Sequence, residues 1–104
     1  MIRHCVMLSL DADHDPNRLK AVLTDLSELC DRLHGVSGFM SGPNRDFEKK
    51  SPAFAAGFTI DFSDKASLLA YADHPEHQAL GAQLIALCSG GADGIIVFDI
   101  ENHE

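Results

Sequence analysis

Positive charge is scarce in this chain. Eight Lys and Arg stand against 16 Asp and Glu, the formal net charge is -8, and no basic stretch exceeds the pair Lys49-Lys50. Nucleic-acid backbones and anionic membrane surfaces are held by clustered Lys and Arg, so neither is an expected partner. Long apolar runs are missing too. No stretch approaches the ~18–20 residues of a membrane-crossing helix. Met1-Ile2-Arg3-His4 leads straight into a strand pattern rather than into a charged segment followed by an apolar one. Cysteine is sparse and odd in number: Cys5, Cys30 and Cys88 all fall within apolar patterns, and no Cys-x-x-Cys or Cys/His cluster has zinc spacing. The three read as buried free thiols of a reducing compartment. The expectation is a soluble cytoplasmic protein with no metal and no cofactor.

What remains is enough for one domain, 1–104. Ile2 to Leu10 alternates as a strand, with His4 on the more apolar face and Cys5 and Met7 on the other. Asp15-Pro16 is a helix start. From there Leu19, Val22, Leu23, Leu26, Leu29, Cys30 and Leu33 recur at intervals of three and four until Gly35. Val36 to about Ser41 is a second strand, ended by Gly42-Pro43-Asn44, and residues 45–52 read as a polar, mobile loop. Ala53 to Phe62 alternates strongly, with Phe54, Ala56, Phe58, Ile60 and Phe62 on one face and small residues such as Ala55 and Gly57 on the other. Ser63 is placed to cap the next helix. Pro75 disfavours helical backbone at His74 and opens a new helix at its first position, running to about Cys88. Ser89-Gly90-Gly91 breaks it, and Gly94 to Glu101 is a final strand, apolar enough to expect cover on both faces.

The order β-α-β-β-α-β, with its second helix broken, is the ferredoxin-like α+β pattern. It predicts a four-stranded antiparallel sheet with helices on one face. The other face, carrying Cys5, Met7, Ala55, Gly57 and part of the last strand, needs a cover. A second copy of the same sheet is the economical one, giving a symmetric homodimer.

Three polar residues stand out against this frame. His77 shares a helical stripe with Leu80, Leu84 and Leu87, at i, i+3, i+7 and i+10. Histidine titrates near neutral pH, and burying it is costly without a hydrogen-bond partner or a task. Tyr71 points inward from the preceding helical segment. On one straight helix six residues would leave Tyr71 and His77 roughly 120° apart around the axis, and the break at His74-Pro75 allows them to converge. His4 lies on the first strand. His74 reads as a cap. His74 and His77 are a weak metal pair, because Pro75 interrupts their helical spacing. Phe54, Phe58, Phe62, Leu23, Leu26, Leu80 and Leu84 either wall an apolar pocket or fill a core, and periodicity does not separate the two.

Met1-Ile2-Arg3-His4 opening a strand, Gly42-Pro43-Asn44 closing the second, Tyr71-x-x-His74-Pro75-x-His77, and a last strand ending in Val97-Phe98-Asp99 together resemble the stress-response A/B barrel (Dabb) family over nearly the whole chain. The resemblance implies a ferredoxin-like fold whose two sheets meet across a dimer as an α+β barrel. A plant member, olivetolic acid cyclase, closes a linear polyketide by aldol condensation. By that resemblance the catalytic positions are His77 and Tyr71, with His4 lining the same cavity. A further histidine of the relative falls at Ala56, so that contact is absent here. The implied function is binding of a small apolar carbonyl-type ligand, with acid–base chemistry of a cyclase, lyase or isomerase kind: His77 takes a proton from an acidic carbon and Tyr71 orients it or donates to the enolate oxygen. The alternative is a non-catalytic, stress-associated or structural homodimer.

Overall fold

A computed structural model describes residues 1–103. The strands are β1 (Ile2–Leu8), β2 (Val36–Pro43), β3 (Ala56–Phe62) and β4 (Ile95–Glu101). The helices are α1 (Pro16–Arg32), α2 (Lys65–Ala72) and α3 (Pro75–Leu87), and a 3-10 turn at Gly91–Gly94 leads into β4. The sheet order is β2-β3-β1-β4 with every pair antiparallel, so the chain has the expected ferredoxin-like α+β topology.

Strand alternation divides the sheet into two unlike faces. On the helix side Ile2, Val6 and Leu8 of β1 lie beside Ala56, Phe58, Ile60 and Phe62 of β3, all buried. Val22, Leu26, Leu29 and Cys30 of α1, with Leu80, Leu84 and Leu87 of α3, close that layer. Asp15 caps α1 by accepting from the Asn17 amide at 2.9 Å, with Pro16 in the first turn. Arg32 at the other end of α1 pairs with Glu76 of α3 and ties the two helices together.

The opposite face is apolar and open. Register sets Met40, Thr59, Cys5 and Phe98 in one cross-strand row, and Gly42, Gly57, Met7 and Ile96 in the next. Ser37, Asp61, Arg3 and Ile100 form a third, where the Arg3 guanidinium makes a two-point contact with Asp61 at 2.8 and 3.2 Å. Met40, Phe98 and Ile100 are each more than half exposed. Gly57 is required here: a Cβ at that position would collide with the Met7 side chain and the Val6 carbonyl.

Four local expectations are revised. β1 stops at Leu8, because the Ser9 amide turns to Gly94 and Leu10 bridges Cys88 instead of continuing along β3. β3 begins at Ala56, not Ala53; the stretch before it belongs to the β2–β3 loop, although the Ala55 amide still bonds to the Leu8 carbonyl. The cap of α2 is Asp64, which accepts from the Ser67 amide at 2.8 Å, rather than Ser63. The β2–β3 loop is not loose. The Asn44 side-chain amide donates to Ser51 Oγ and to the Phe54 carbonyl, and Asp46 Oδ1 accepts from the Lys50 and Ser51 amides and the Ser51 hydroxyl. Desolvation pushes the Asp46 carboxyl up, but these donors outweigh it and hold it below the ordinary range. Asp46 and Lys49 both sit at positive φ, 45° and 58°, and Phe47 between them is 90% exposed.

Truncating Leu26→Ala is expected to remove ~2–5 kcal/mol of stability, read from urea unfolding, because the buried site leaves a cavity. Asp46→Ala is expected to accelerate amide hydrogen exchange at Lys50 and Ser51 while leaving exchange in β1 unchanged.

Candidate functional site

Tyr71 lies in the last turn of α2. Asp73 ends that helix, and the His74 amide bonds back to the Tyr71 carbonyl at 3.1 Å. His74 then caps α3, its Nδ1 accepting from the Glu76 amide at 3.1 Å, with Pro75 next. The chain thus changes axis between Tyr71 and His77. The change brings the two rings together at a 49° tilt, with centroids 4.3 Å apart. Beneath them lie Phe62, 5.2 Å from Tyr71, and His4, 6.0 Å from Tyr71 and 5.8 Å from Phe62. So β1, β3, α2 and α3 each contribute one ring to a single cluster, and His4, Tyr71 and His77 are neighbours.

Hydrogen bonding orders the imidazoles. His77 Nδ1 lies 3.0 Å from the Ala72 carbonyl oxygen. A carbonyl only accepts, so Nδ1 carries the proton and the neutral ring presents a bare Nε2. Burial holds the His77 pKa below its ordinary value, against the Ala72 bond and with help from His4 and His74. Near neutral pH His77 is therefore an uncharged base. His4 Nδ1 lies 2.6 Å from Asp99 Oδ1 across the β1–β4 pairing, and the carboxylate accepts a hydrogen bond from the Nδ1–H. Burial pushes the Tyr71 phenol well above its ordinary range, with a smaller contribution from Cys30, which leaves a neutral hydroxyl. Among the described residues nothing hydrogen-bonds that hydroxyl.

The cavities lie elsewhere than the pocket walls expected from periodicity. A groove of about 740 Å³ runs between α1 and the β2–β3 end of the sheet. Leu23, Phe39 and Ala56 line it, and His14 stands at its edge with Nδ1 on the Asp11 carbonyl at 2.8 Å. Of the expected wall residues only Leu23 reaches this groove; Phe58, Phe62, Leu26, Leu80 and Leu84 are core, and Phe54 is half-buried in the β2–β3 loop. Tyr71 borders a shallower depression of about 330 Å³ between the end of α1 and α2. None of the principal depressions is lined by His4 or His77. Sequence reasoning missed two polar residues. Asp99 becomes visible only once register sets it opposite His4, and His14 sits in a turn whose sequence carries no signal. No group of three or more His, Cys, Asp or Glu among the described residues is placed to hold a metal ion, and no helix among them is long and apolar enough to cross a membrane.

The family model described as the stress responsive A/B barrel domain matches residues 2–102. Among solved structures, a dimeric ferredoxin-like protein of unknown function from Jannaschia sp. CCS1 has a TM-score of 0.93 and 44% identity, covering 97% of this chain and 98% of that one. A Dabb family protein with a ferredoxin-like fold from Mesorhizobium loti has a TM-score of 0.73 at 24% identity, over 99% and 97% of the two chains. A hydroxynitrile lyase from Passiflora edulis has a TM-score of 0.82 at 14% identity, over 99% and 94%. The last two likenesses establish the fold alone. No curated protein matches the sequence significantly.

The His77 environment sets a pH dependence. Its folded pKa lies below the ordinary one, so as pH falls the unfolded chain takes up the proton first. Stability from this group is complete above the ordinary histidine value. It declines as pH falls through the window between that value and the lower folded one. Thermal melting between neutral and mildly acid pH is expected to show a smaller loss for His77→Gln than for the parent chain.

Proposed function

The chain belongs to the stress responsive A/B barrel domain family, and from that premise we propose that it acts as a homodimer that binds a small, largely apolar carbonyl-type compound and moves a proton on it. His77 Nε2 is the base. Tyr71 is the neutral donor that meets the oxygen on which negative charge develops, and His4 is the third polar group of the site. The observation that carries this reading is the Tyr71–His77 pair itself: a neutral imidazole with a bare Nε2, its ring centroid 4.3 Å from that of a phenol for whose hydroxyl no hydrogen bond is seen among the described residues. A positioned base of this kind contributes about 100- to 10,000-fold. The substrate class remains broad, from aldol closure of a polyketide, as the cyclase-like motif suggests, to cleavage of a cyanohydrin, as the Passiflora edulis neighbour suggests. Both need a base beside an oxygen that gains or loses charge.

The homodimer is supported by the open sheet face and by the dimeric state of the protein from Jannaschia. A second reading has its own observation: the apolar groove beside α1 does not reach His77, whose Nδ1 is already held by the main chain. In that reading the groove binds a ligand and the ring cluster is structural.

Light scattering at micromolar concentration is expected to give twice the chain mass, and Phe98→Asp, which puts a charge in the open face, to give the monomer. Against a panel of linear β-polyketone thioesters and aromatic cyanohydrins, His77→Ala and Tyr71→Phe are each expected to lose at least about 100-fold in turnover with far-UV spectra unchanged. Equal background rates for the parent and both variants would reject catalysis on these compounds. Ligand-induced NMR shifts confined to Leu19, Leu23 and Phe39 would favour the groove-only reading.

A further inference from the structure

Asp99 has no part in the reading above, yet it makes the shortest side-chain hydrogen bond to any ring of the cluster. Its Oδ1 is 2.6 Å from His4 Nδ1. The bond spans two neighbouring strands at a directly paired position, His4 opposite Asp99. The two ends are unequally placed: the His4 side chain is 13% exposed and that of Asp99 45%. On the same side of β4 Val97 also stands in water, because α1 packs on β2 and α2 on β3. The ring cluster therefore has a wet flank along β4, and His4 is the ring nearest to it in the sheet.

We propose that Asp99 is a positioning residue that fixes His4 with its proton on Nδ1 and a bare Nε2, and that this Nε2 accepts a hydrogen bond from a hydroxyl of the ligand. The inference rests on the small-ligand reading of the same site and narrows it. The ligand is a hydroxyl donor, an enol, a phenol or a carbinol, and not merely a carbonyl compound. The chemistry follows from the donor inventory. A carboxylate accepts only, so its partner nitrogen must carry the proton, and a neutral imidazole then has one acceptor left. His77 is fixed in the same sense by the Ala72 carbonyl. With His4 ordered as proposed, two imidazoles with bare Nε2 atoms stand beside a neutral phenol. The set offers a ligand two acceptors and one donor, which suits a molecule that has a hydroxyl to give as well as an oxygen to be hydrogen-bonded. Carboxylate-ordered imidazoles elsewhere lose function when the carboxylate becomes an amide, because the amide selects the wrong tautomer while leaving the geometry intact.

The test uses the full-length chain labelled with ¹⁵N in its histidines, with 4-butylphenol and its methyl ether as probes. In the parent protein the His4 signals are expected to show a protonated Nδ1 and an unprotonated Nε2, and 4-butylphenol is expected to shift the Nε2 resonance and to bind about two- to tenfold more tightly than the ether, the worth of one hydrogen bond to a neutral acceptor. Asp99→Asn is expected to mix or reverse the tautomers and to erase the preference for the phenol, with ether binding unchanged. Asp99→Glu should restore part of both. A surface pair that only stabilises the sheet would change the melting temperature and leave the phenol-to-ether ratio alone, and that result overturns the proposal. A parent His4 protonated on Nε2 overturns it as well, while leaving the His77–Tyr71 reading intact, since that reading is decided by turnover in His77→Ala. Failure of 4-butylphenol to move any His4 signal overturns the hydroxyl-donor ligand.

Discussion

One buried ring joins the two layers of this molecule. Tyr71, the largest of its fully buried side chains, belongs to α2, packs on Phe62 of β3 and His4 of β1, and meets His77 of α3. Its position follows from a constraint on the main chain: proline cannot extend the preceding helix, so the backbone must turn at His74-Pro75. Without that turn the two helical segments would share an axis and Tyr71 and His77 would diverge. The proline that ends one helix and starts the next is therefore also what makes a four-element contact out of residues six apart. The apolar part of that contact, Phe62 and the body of Tyr71, packs the helix layer onto the sheet.

The electrostatics are arranged in the same economical way. The chain carries a large excess of acid, yet among the described residues no carboxylate enters the core. Several acidic side chains at edges have partners instead: Asp61 with Arg3, Glu76 with Arg32, Asp64 on the Ser67 amide and Asp99 with His4. Imidazoles take the positions where a polar group must sit close to apolar ones. A neutral ring loses little on desolvation, and the carbonyl of Ala72 supplies the one acceptor His77 needs.

How much of this could be read from the sequence depended on the range of the interaction. Strand alternation, the α1 stripe and the Pro75 break are local, and they gave the topology, the helix face and the open face. The convergence of Tyr71 and His77 was also legible, because it needs only the helical period and a proline. Asp99 was not, since its meaning depends on which residue of β1 it opposes, and register is a property of two strands. The β2–β3 loop misled for a related reason. Charged and polar residues between strands usually mark mobility, but here Asn44 and Asp46 turn their side chains inward onto the loop's own backbone, and the pattern of those bonds cannot be seen in composition. The extent of the α1–β2 groove was equally hidden, because periodicity says which side chains face inward and not whether they fill the space.

That loop has a consequence for how the fold tolerates change. Asn44 grips residues seven and ten positions ahead, and Asp46 grips residues four and five ahead, with two side-chain-bearing residues held in left-handed backbone between strands. Such a closure works at one length only. Adding or removing a single residue would put every one of these bonds out of step together, so the connection behaves as a gauge block between β2 and β3.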